Sequence, residues 1–390
     1  MGKAFAAISG LGLSHFSRKY DYPVKALAHQ AVKNVLHDAG LGHQDIDGLL
    51  INRSPVVSAN FFDLRLQEEL GLPALNLLAH IDAEGSSAVQ MVQMAALAVS
   101  QKIANHVICL FADTPLMPGI SAGSAFAVAM PLSGIPDWEE EIGLLGAAGP
   151  YAMACKRHMI QYGTTHEHLG HVALSARAWA MQNPLAFLKK PLTLDTYLSA
   201  PWIVEPFRLL DCAYPINGAV ALLVTTIERA KNLASTPVYI HGMGQGHQSI
   251  KNLRDFSSET ETPAKKSAEK AYQMAGIHAA DIDFCEIYDA FTYSTIVALE
   301  DYGFCPKGEG GPFVQEGHIA PGGTLPVNTG GGHLSGYYLQ GVTPLSEGVM
   351  QLRNEAGTRQ IKKNDLALIT GSGGRLEYTA CLVASPHQNL

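Results

Sequence analysis

The sequence contains few charged residues, no long apolar stretch and no run of basic residues. Charged residues make up 16% of the 390, and the formal net charge is −8. This acidic balance disfavours a nucleic-acid-binding surface. A membrane span is disfavoured because no stretch of about 18 apolar residues occurs, and secretion because no basic segment followed by an apolar core opens the chain. The cytoplasm is therefore the expected location.

The sequence also lacks paired cysteines and obvious metal-ligand spacing. Its six cysteines are scattered without a Cys-x-x-Cys pair, which argues against a zinc knuckle or a disulfide framework. We expect reduced and mostly buried thiols. Residues 151–158 and 166–171 hold four histidines without carboxylate partners at ligand spacing. These runs predict a solvated helical face and no metal site.

One helix–turn–strand unit occurs twice in this glycine-rich chain. The sequence Ala-Gly-Leu followed by Asp-Ile-Asp at 39–47 recurs as Ala-Gly-Ile followed by Asp-Ile-Asp at 275–283, an offset of 236 residues (275 − 39). A helical pattern precedes each copy and a short apolar run follows it. Gly40 and Gly276 suit a helix C-terminus, where glycine adopts the left-handed conformation without a Cβ clash.

The repeat extends to further strands and helices, which predicts an α/β fold. Strands are predicted at 4–8, 48–51, 107–111, 238–240, 284–287 and 366–369, and helices at 24–38, 87–102, 263–274 and 342–353. Their alternation predicts mostly parallel sheet covered by helices, in two halves related by a pseudo-twofold axis. We expect the halves at residues 1–235 and 236–390. A helical and loop-rich insertion at about 115–206 either caps a site or merely completes a dimer surface.

Two motifs in the second half carry a family resemblance. Residues 286–291, Glu-Ile-Tyr-Asp-Ala-Phe, look like a Glu-x-His-Asp-x-Phe loop, and residues 328–332, Asn-Thr-Gly-Gly-Gly, look like an Asn-x-x-Gly-Gly that precedes a catalytic Gly-His-Pro. With the duplication, they resemble the thiolase superfamily along essentially the whole chain, and most closely its sterol-carrier-protein-X branch. The resemblance implies two duplicated βαβαβ-type halves in a five-layer αβαβα arrangement.

Tyrosines occupy both positions at which the family has histidine. The first motif places Tyr288 at one of them. The second histidine follows the motif asparagine by ten residues in the family, which gives Tyr338 here. Another register would use His333, but it needs a five-residue deletion and leaves Gly341, the glycine expected to open the next helix, unexplained. We favour Tyr338, while Tyr337 faces either the core or the pocket.

The family's cysteines are replaced as well. Aligning the helix at 87–102 without gaps puts Gly85 at the nucleophilic cysteine, and the second cysteine falls at about Thr370. Ser86 could act as a substitute nucleophile, but a serine needs an adjacent base. Asp289 either orients a tyrosine, carries charge, or caps the helix expected from Ala290. The resemblance implies substrate or CoA contacts at Gly331, Gly332, His333, Ser372 and Gly373, although a packing role for His333 remains open.

The replaced positions favour chemistry without an acyl-enzyme. A retro-aldol cleavage of a 3-hydroxyacyl-CoA needs a base for the β-hydroxyl proton, donors for the thioester enolate and an acid to reprotonate it. We predict that Tyr288 and Tyr338 fill the proton-transfer roles, with Asp289 as a third catalytic candidate, as in the thiolase-like aldolases that shorten steroid side chains.

Two alternatives remain open at this point. One is an acetyl-CoA acetyltransferase-like enzyme that uses Ser86 or a group supplied by a partner, and the other is a non-catalytic acyl-CoA-binding scaffold. The resemblance also implies a homodimer, which would suit a strand near Val107 pairing across a symmetry axis, and a possible small partner with a zinc ribbon and an OB-fold. No covalently bound cofactor is expected, and the CoA thioester is the substrate.

Overall fold

Strands and helices alternate along both halves of the chain, as the sequence predicts. The computed structural model describes residues 3–56, 65–72, 74–126, 141, 143–144, 146–248 and 260–390. The first half contains β1 (Ala6–Leu13), α1 (Val24–Ala39), β2 (Gly48–Asn52), α2 (Leu66–Glu69), β3 (Leu77–Ile81), α3 (Ser87–Ser100) and β4 (His106–Asp113). It continues with α4 (Ala148–Tyr162), α5 (His166–Ala180), α6 (Leu194–Leu198), β5 (Trp202–Val204), β6 (Phe207–Arg208), β7 (Gly218–Thr225) and α7 (Ile227–Ala230). The second half contains β8 (Val238–His247), α8 (Ala264–Ala275), β9 (Phe284–Glu286), α9 (Thr292–Asp301), α10 (Gly310–Gln315), α11 (Val342–Leu352), β10 (Ala367–Gly373) and β11 (Tyr378–Ser385).

The main sheet shows the duplication directly. Its strand order is β3-β2-β4-β7-β1-β8-β11-β10-β9, with β1 and β8 paired antiparallel at the junction of the halves. Counting outward from that junction, β1-β7-β4-β2 corresponds to β8-β11-β10-β9. The expectation of a mostly parallel sheet was wrong, because β7 and β11 return antiparallel beside β1 and β8. Parallel pairing occurs for β2 with β3, β2 with β4, and β9 with β10.

Apolar clusters on both faces of the sheet produce the five layers. The central cluster joins α3 and α11, through residues such as Val92 and Leu345, to strands of both halves. A second cluster packs α1 on the outer face of the first half. A third packs α4, α5, α8 and α9 on the outer face of the second half. One helix layer therefore lies between the two halves of the sheet and one lies on the outer face of each half, as the thiolase-like arrangement requires.

The repeated Asp-Ile-Asp segments make equivalent hydrogen bonds in the two halves. Gly40 and Gly276 end α1 and α8 with φ of 69° and 71°, in the expected left-handed conformation. In the segment that follows α8, the first aspartate, Asp281, accepts the N–H of His278 at 2.8 Å, as Asp45 accepts that of Gly42. The first aspartate of each copy thus closes the short turn after the helix.

The second aspartate of each copy links two strands of the sheet. Asp47 accepts the N–H groups of Asn105 and His106 at the start of β4. Asp283 accepts the N–H groups of Asp365 and Leu366 at the start of β10, each at 3.0 Å. Both carboxylates therefore accept hydrogen bonds from backbone N–H groups that no neighbouring strand pairs with at the start of β4 and β10.

Three further expectations can be compared with the described residues. All six cysteines are free and four are buried, which confirms the predicted thiols. The solvated face predicted around the histidines was wrong for Tyr151, which is 3% exposed, and for His158, which is fully buried between Thr164 and Glu300. Part of the 115–206 insertion lies outside the described residues. Within the described ones, no helix is long and apolar enough to span a bilayer.

The strand proposed to pair across a dimer axis was also wrongly chosen. Val107 lies in β4, which is already paired with β2 on one side and β7 on the other. Among the described strands, β3 forms the outer edge on that side, since it pairs with β2 alone. A strand of a second copy can be added to the sheet at β3 but not at β4.

The strand-linking aspartate is expected to matter more for stability than the turn aspartate. Asp283 is 7% exposed, and its loss leaves two backbone donors unpaired, whereas Asp281 is exposed and holds one. Asp283→Ala should lower the free energy of unfolding by about 2 kcal/mol, and Asp281→Ala by about 1 kcal/mol. Urea denaturation at one protein concentration measures both. Equal losses would contradict the assigned division of roles.

Candidate active site

Four segments meet where β3, β9 and β10 end. The short helical turn Glu84–Ser86 leads into α3, and the 287–291 loop follows β9. The 327–341 loop contains a π-helical turn, Gly332–Gly336, and ends where Gly341 precedes α11. The turn between β10 and β11 supplies the fourth segment. β9 and β10 are neighbouring parallel strands, so the loops at their carboxyl ends share one edge of the sheet. β3 lies at the other end of the strand order, and the turn that follows it reaches the same place because α3 packs between the two halves and against β10.

Buried polar side chains hold these loops together. The Oδ1 atom of Asn328, a residue with φ of 54°, accepts the N–H of Ile287 at 2.7 Å. Glu286 accepts the backbone N–H of Thr329. The Thr329 hydroxyl lies 2.8 Å from Glu286 and 2.9 Å from Glu347 of α11, and its one hydrogen donates to either of them. Glu347 also accepts from Arg359. Burial and the neighbouring Glu347 raise the pKa of Glu286 well above its ordinary value.

Gly85 has no space for a side chain, because Tyr288 and the backbone of Ser372 fill it. A Cβ atom built on Gly85 would lie 2.5 Å from the Tyr288 hydroxyl oxygen and would overlap the carbonyl oxygen of Ser372. Gly371 and Gly373 approach the same turn closely enough that a Cβ on either would strike residues 83–86. The glycine at the nucleophile position and the tyrosine at the histidine position are therefore sterically linked.

The hydroxyls of Tyr288 and Tyr338 meet at this place. Their oxygens are 2.9 Å apart, and either one can be the donor. The backbone N–H of Tyr288 is held by the hydroxyl of Thr370, the position of the second family cysteine, at 3.2 Å. Tyr337 points the other way, with its hydroxyl 2.8 Å from Ser346 in the core. Alternation along the chain thus sends Tyr338, and not Tyr337, to the site.

Burial keeps both phenols protonated at neutral pH. It raises the pKa of Tyr288 well above the ordinary value, and the charge of Tyr338 and the hydrogen bond that Tyr288 donates to it add to this effect. Burial also raises the pKa of Tyr338 to about 12, although the hydrogen bond from Tyr288 lowers it. The described surroundings of the pair contain carboxylates and phenols, and no cation that would favour a phenolate.

His333 and Asp289 lie beneath the two tyrosines. The His333 ring packs edge-to-face with Tyr288 and Tyr338, at centroid distances of 4.6 and 4.8 Å. Asp289 accepts the backbone N–H of His333 at 2.8 Å. It does not cap the following helix as one interpretation expected, because α9 begins at Thr292 with Phe291 at its N-cap position. Asp289 instead binds the first turn of the π-helical segment.

The other predicted residues lie around this centre in different environments. The Ser86 hydroxyl donates to the carbonyl of Ala83 and accepts from Gln90, both at 2.8 Å. Gly332 has φ of 58°, and a Cβ there would overlap Asp289, while a Cβ on Gly331 would lie 2.6 Å from that of Ala180. Both glycines are therefore buried in the loop's own packing. Ser372 and Gly373 border Gly85 directly.

Three residues of the site were missed by the sequence analysis. Tyr151 of α4 lies close enough that its charge raises the pKa of Tyr288, and Ser372 interacts with it in turn. Phe126 packs edge-to-face on Tyr338 at 5.4 Å between centroids. Both come from the 115–206 insertion. Asp113, the last residue of β4, is 3% exposed, and its charge contributes to the raised pKa of Tyr338.

Asp113 is a buried carboxyl group that accepts two hydrogen bonds. It accepts the Ser54 hydroxyl at 2.7 Å and the N–H of Thr114 at 2.9 Å. Burial raises its pKa to about 7, against the lowering effect of these two donors. The sequence shows Asp113 only as the aspartate that ends an apolar strand. Its position near Tyr338 depends on the fold and could not be read from the sequence. Among the described residues, no group of three His, Cys, Asp or Glu is arranged to hold a metal ion.

Comparisons with known proteins agree with this architecture. Residues 242–385 match the family model described as thiolase C-terminal domain-like. A steroid side-chain-cleaving aldolase of Thermomonospora curvata is 32% identical, with 94% of this chain and 95% of that protein covered. A 17-hydroxy-3-oxo-4-pregnene-20-carboxyl-CoA lyase of Mycobacterium tuberculosis is 33% identical over 89% of this chain and 91% of that protein.

A solved structure is similar over the whole fold. The structure of an Ltp2-ChsH2(DUF35) aldolase superposes with a TM-score of 0.88 at 31% identity, covering 98% of each chain. The identities, the coverage and the shared fold together exceed what a common architecture alone would produce. The chain therefore belongs to the thiolase superfamily, in the sterol-carrier-protein-X thiolase-like branch that includes these aldolases.

Proposed function

We propose that the protein is a non-covalent retro-aldolase that cleaves 3-hydroxyacyl-CoA-type thioesters. The observation that carries this proposal is the Tyr288 hydroxyl, which fills the space above Gly85 where a nucleophilic side chain would stand. A site without a nucleophile can still transfer protons and stabilise an enolate. The names of the two similar proteins, an aldolase and a CoA lyase, support the same reaction class.

In the proposed reaction, Tyr338 takes the β-hydroxyl proton of the substrate. Because Tyr338 is itself protonated, it accepts this proton only while passing its own to another group. We assign that acceptor role to Asp113, a buried carboxyl group with a pKa of about 7 whose charge acts on Tyr338. The Cα–Cβ bond then breaks, a ketone or aldehyde forms at Cβ, and the electron pair enters the thioester enolate.

Tyr288 is proposed to reprotonate the enolate carbon. Its hydroxyl is 2.9 Å from that of Tyr338, and either one can donate. Once Tyr288 has given its proton to carbon, Tyr338 donates its own proton to Tyr288 and is reprotonated from Asp113, which restores the starting state. The net change moves one proton from oxygen to carbon. The site lies at the N-terminal end of the 14-residue helix α3, whose dipole favours a developing negative charge.

The two alternatives have less support from the geometry. An acyltransferase that uses Ser86 requires a base, but the described partners of its hydroxyl are a carbonyl group and an amide side chain. A silent acyl-CoA-binding scaffold does not require two phenols in hydrogen-bond contact. Substrate or CoA contacts by Gly331, Gly332, His333, Ser372 and Gly373 remain proposals. Of these residues, Ser372 and Gly373 are the best placed, because they adjoin Gly85.

The assembly is proposed from the same features. The predicted halves, 1–235 and 236–390, would both contribute to the site, with Gly85 from one and the tyrosines from the other. We propose a homodimer through the β3 edge, next to which α3 exposes Met94 and Leu97. A small partner with a zinc ribbon and an OB-fold is also proposed, supported by the second component, ChsH2(DUF35), of the similar aldolase structure.

Removing either site hydroxyl should abolish turnover without unfolding the protein. Tyr338→Phe and Tyr288→Phe are each expected to lower kcat for release of the carbonyl product by about 10²- to 10⁴-fold. Tyr337→Phe is the matched control, because it removes the neighbouring hydroxyl from the core and should keep kcat within about twofold. A Tyr338→Phe enzyme with unchanged kcat would refute the assignment.

A side chain at position 85 should block the site instead of restoring thiolase chemistry. Gly85→Ala and Gly85→Cys both place a Cβ within 2.5 Å of the Tyr288 hydroxyl, so each should lose aldolase activity. Mass spectrometry after incubation with acyl-CoA checks for an acyl-enzyme. Acylation of the unmodified protein at Ser86 would favour the acyltransferase alternative, and acylation of the Gly85→Cys variant would show that the cysteine fits after all.

A charge on the exposed face of α3 should separate the dimer. Leu97 is 51% exposed, and Leu97→Asp is expected to shift the sedimenting species to the 41.7 kDa monomer, since a buried unpaired charge opposes association. Met153→Asp, at a 56% exposed site on α4, is the control that should leave the dimer intact. If only the Met153→Asp variant were monomeric, the insertion and not the β3 edge would form the interface.

A further inference from the structure

Asp289 and His333 form a buried pair whose hydrogen bonds do not balance without an additional proton. Both side chains are essentially inaccessible, with relative exposures of 1% and 0%. The Nε2 atom of His333 lies 2.8 Å from the carbonyl oxygen of Gln340. A carbonyl oxygen can only accept, so Nε2 must carry a hydrogen. In a neutral ring, Nδ1 is then a bare acceptor.

This bare acceptor faces a second acceptor. The Nδ1 atom of His333 is 3.2 Å from Oδ1 of Asp289, and neither Nδ1 nor Oδ2 of Asp289 has a hydrogen-bond partner among the described residues. Two lone pairs held at that distance in a buried site repel each other. A proton placed between them, either on the carboxyl group or on the ring, removes this repulsion.

We propose that Asp289 and His333 share one proton as a neutral pair, and that this pair is the positioning device that holds Tyr288 and Tyr338 in contact. The inference rests on the proposed function for its catalytic consequence, but the proton itself is a property of the two side chains. Neither residue touches the reacting atoms in this scheme. Both act through the tyrosines.

The geometry explains how the pair controls the tyrosines. The His333 ring lies against both phenol rings, so any displacement of the imidazole moves their hydroxyls. Its Nε2–H also anchors the carbonyl of Gln340, a buried residue with φ of 48° that lies two positions after Tyr338. One imidazole therefore fixes the ring contacts and the backbone of the segment that carries Tyr338.

The surroundings favour the neutral pair over an ion pair. Burial raises the pKa of Asp289 to about 7 and lowers that of His333 to about 3, which keeps the proton on the carboxyl group. Ionising both groups in this interior would cost more than their attraction returns. Two further carboxyl groups lie nearby, Glu286 on β9 and Glu347 on α11, the second of which is bound by Arg359. Arg177 of α5 donates to Ser335. The phenols of Tyr288, Tyr337 and Tyr338 complete the titratable surroundings.

This arrangement makes the site sensitive to alkaline pH. The pKa of Asp289 in the folded protein is raised above its unfolded value of about 3.9, so the stabilising protonated form is present at low pH and is lost as the pH rises through about 7. Above that pH a carboxylate faces the lone pair of Nδ1. The imidazole is then pushed away, and the tyrosine contact opens.

The location of the proton can be measured without any catalysis. The intact protein, labelled with ¹⁵N-histidine, should show His333 at pH 6 with a protonated Nε2 and an unprotonated Nδ1, assigned by loss of the signals in His333→Phe. A change in the Nδ1 signal should follow as the pH rises through about 7. A protonated Nδ1 between pH 6 and 8 would mean an ion pair and would overturn the proposal, whether or not the protein is an aldolase.

The pH profile of the reaction tests the positioning role. Asp289→Asn keeps an oxygen acceptor for the His333 N–H but cannot ionise, so kcat should be reduced and its fall above pH 7 should disappear, with little change in KM. Asp113→Asn is the matched control, since this carboxyl group titrates in the same range beside Tyr338. Because Asp113 is the proposed proton acceptor, kcat should be reduced at every pH. The remaining activity should lose the fall below pH 7 and keep the alkaline fall. An unchanged alkaline fall in Asp289→Asn would exclude the role.

Discussion

The steric exclusion between Gly85 and Tyr288 governs the rest of the active site. The turn before α3 is enclosed by the glycines of β10 and by the tyrosine ring, so no atom can be added at Cα of residue 85. A Cβ at 85 would overlap both the carbonyl oxygen of Ser372 and the Tyr288 ring, so the tyrosine at 288 requires glycine at 85. The two replacements are therefore one structural change. The second tyrosine then completes a hydrogen-bonded pair in the space that a covalent site would use for its base.

The fold contributes to this arrangement by bringing together ends of strands from two similar halves. Each half supplies the same strand order, and the helices α3 and α11 lie between the halves. Glycines in β1 and β8 allow the outer helices to rest on the strand backbone, since a Cβ on Gly12 would overlap Ala31 of α1 and one on Gly244 would overlap Ser267 of α8. Close packing of this kind leaves little freedom for the loops at the strand ends, which keeps the two phenol hydroxyls in hydrogen-bond contact.

Much of the fold and part of the site could be predicted from the sequence. The repeated Ala-Gly and Asp-Ile-Asp segments are local signals, and the left-handed Gly40 and Gly276 confirm them. Counting from Asn328 also selected Tyr338, because the length of this loop is set by the fixed elements on either side of it. Pairing between distant strands is not a local property, so the order that makes β3 the edge and β4 an interior strand was missed. Asp113 and Tyr151 were missed for the same reason.

The electrostatics of the site suit a reaction that moves protons and creates no lasting charge. Burial shifts the groups around the tyrosines toward their neutral forms: it raises the pKa values of Tyr288, Tyr338 and Asp289 and lowers that of His333. A lasting thiolate would have only the end of α3 to stabilise it, because the described neighbourhood offers no cation. Retro-aldol cleavage begins with a neutral substrate hydroxyl and ends with a neutral thioester. Only the enolate formed between them carries charge. The end of α3 can stabilise that transient charge, while the neutral network returns the proton that the substrate has released.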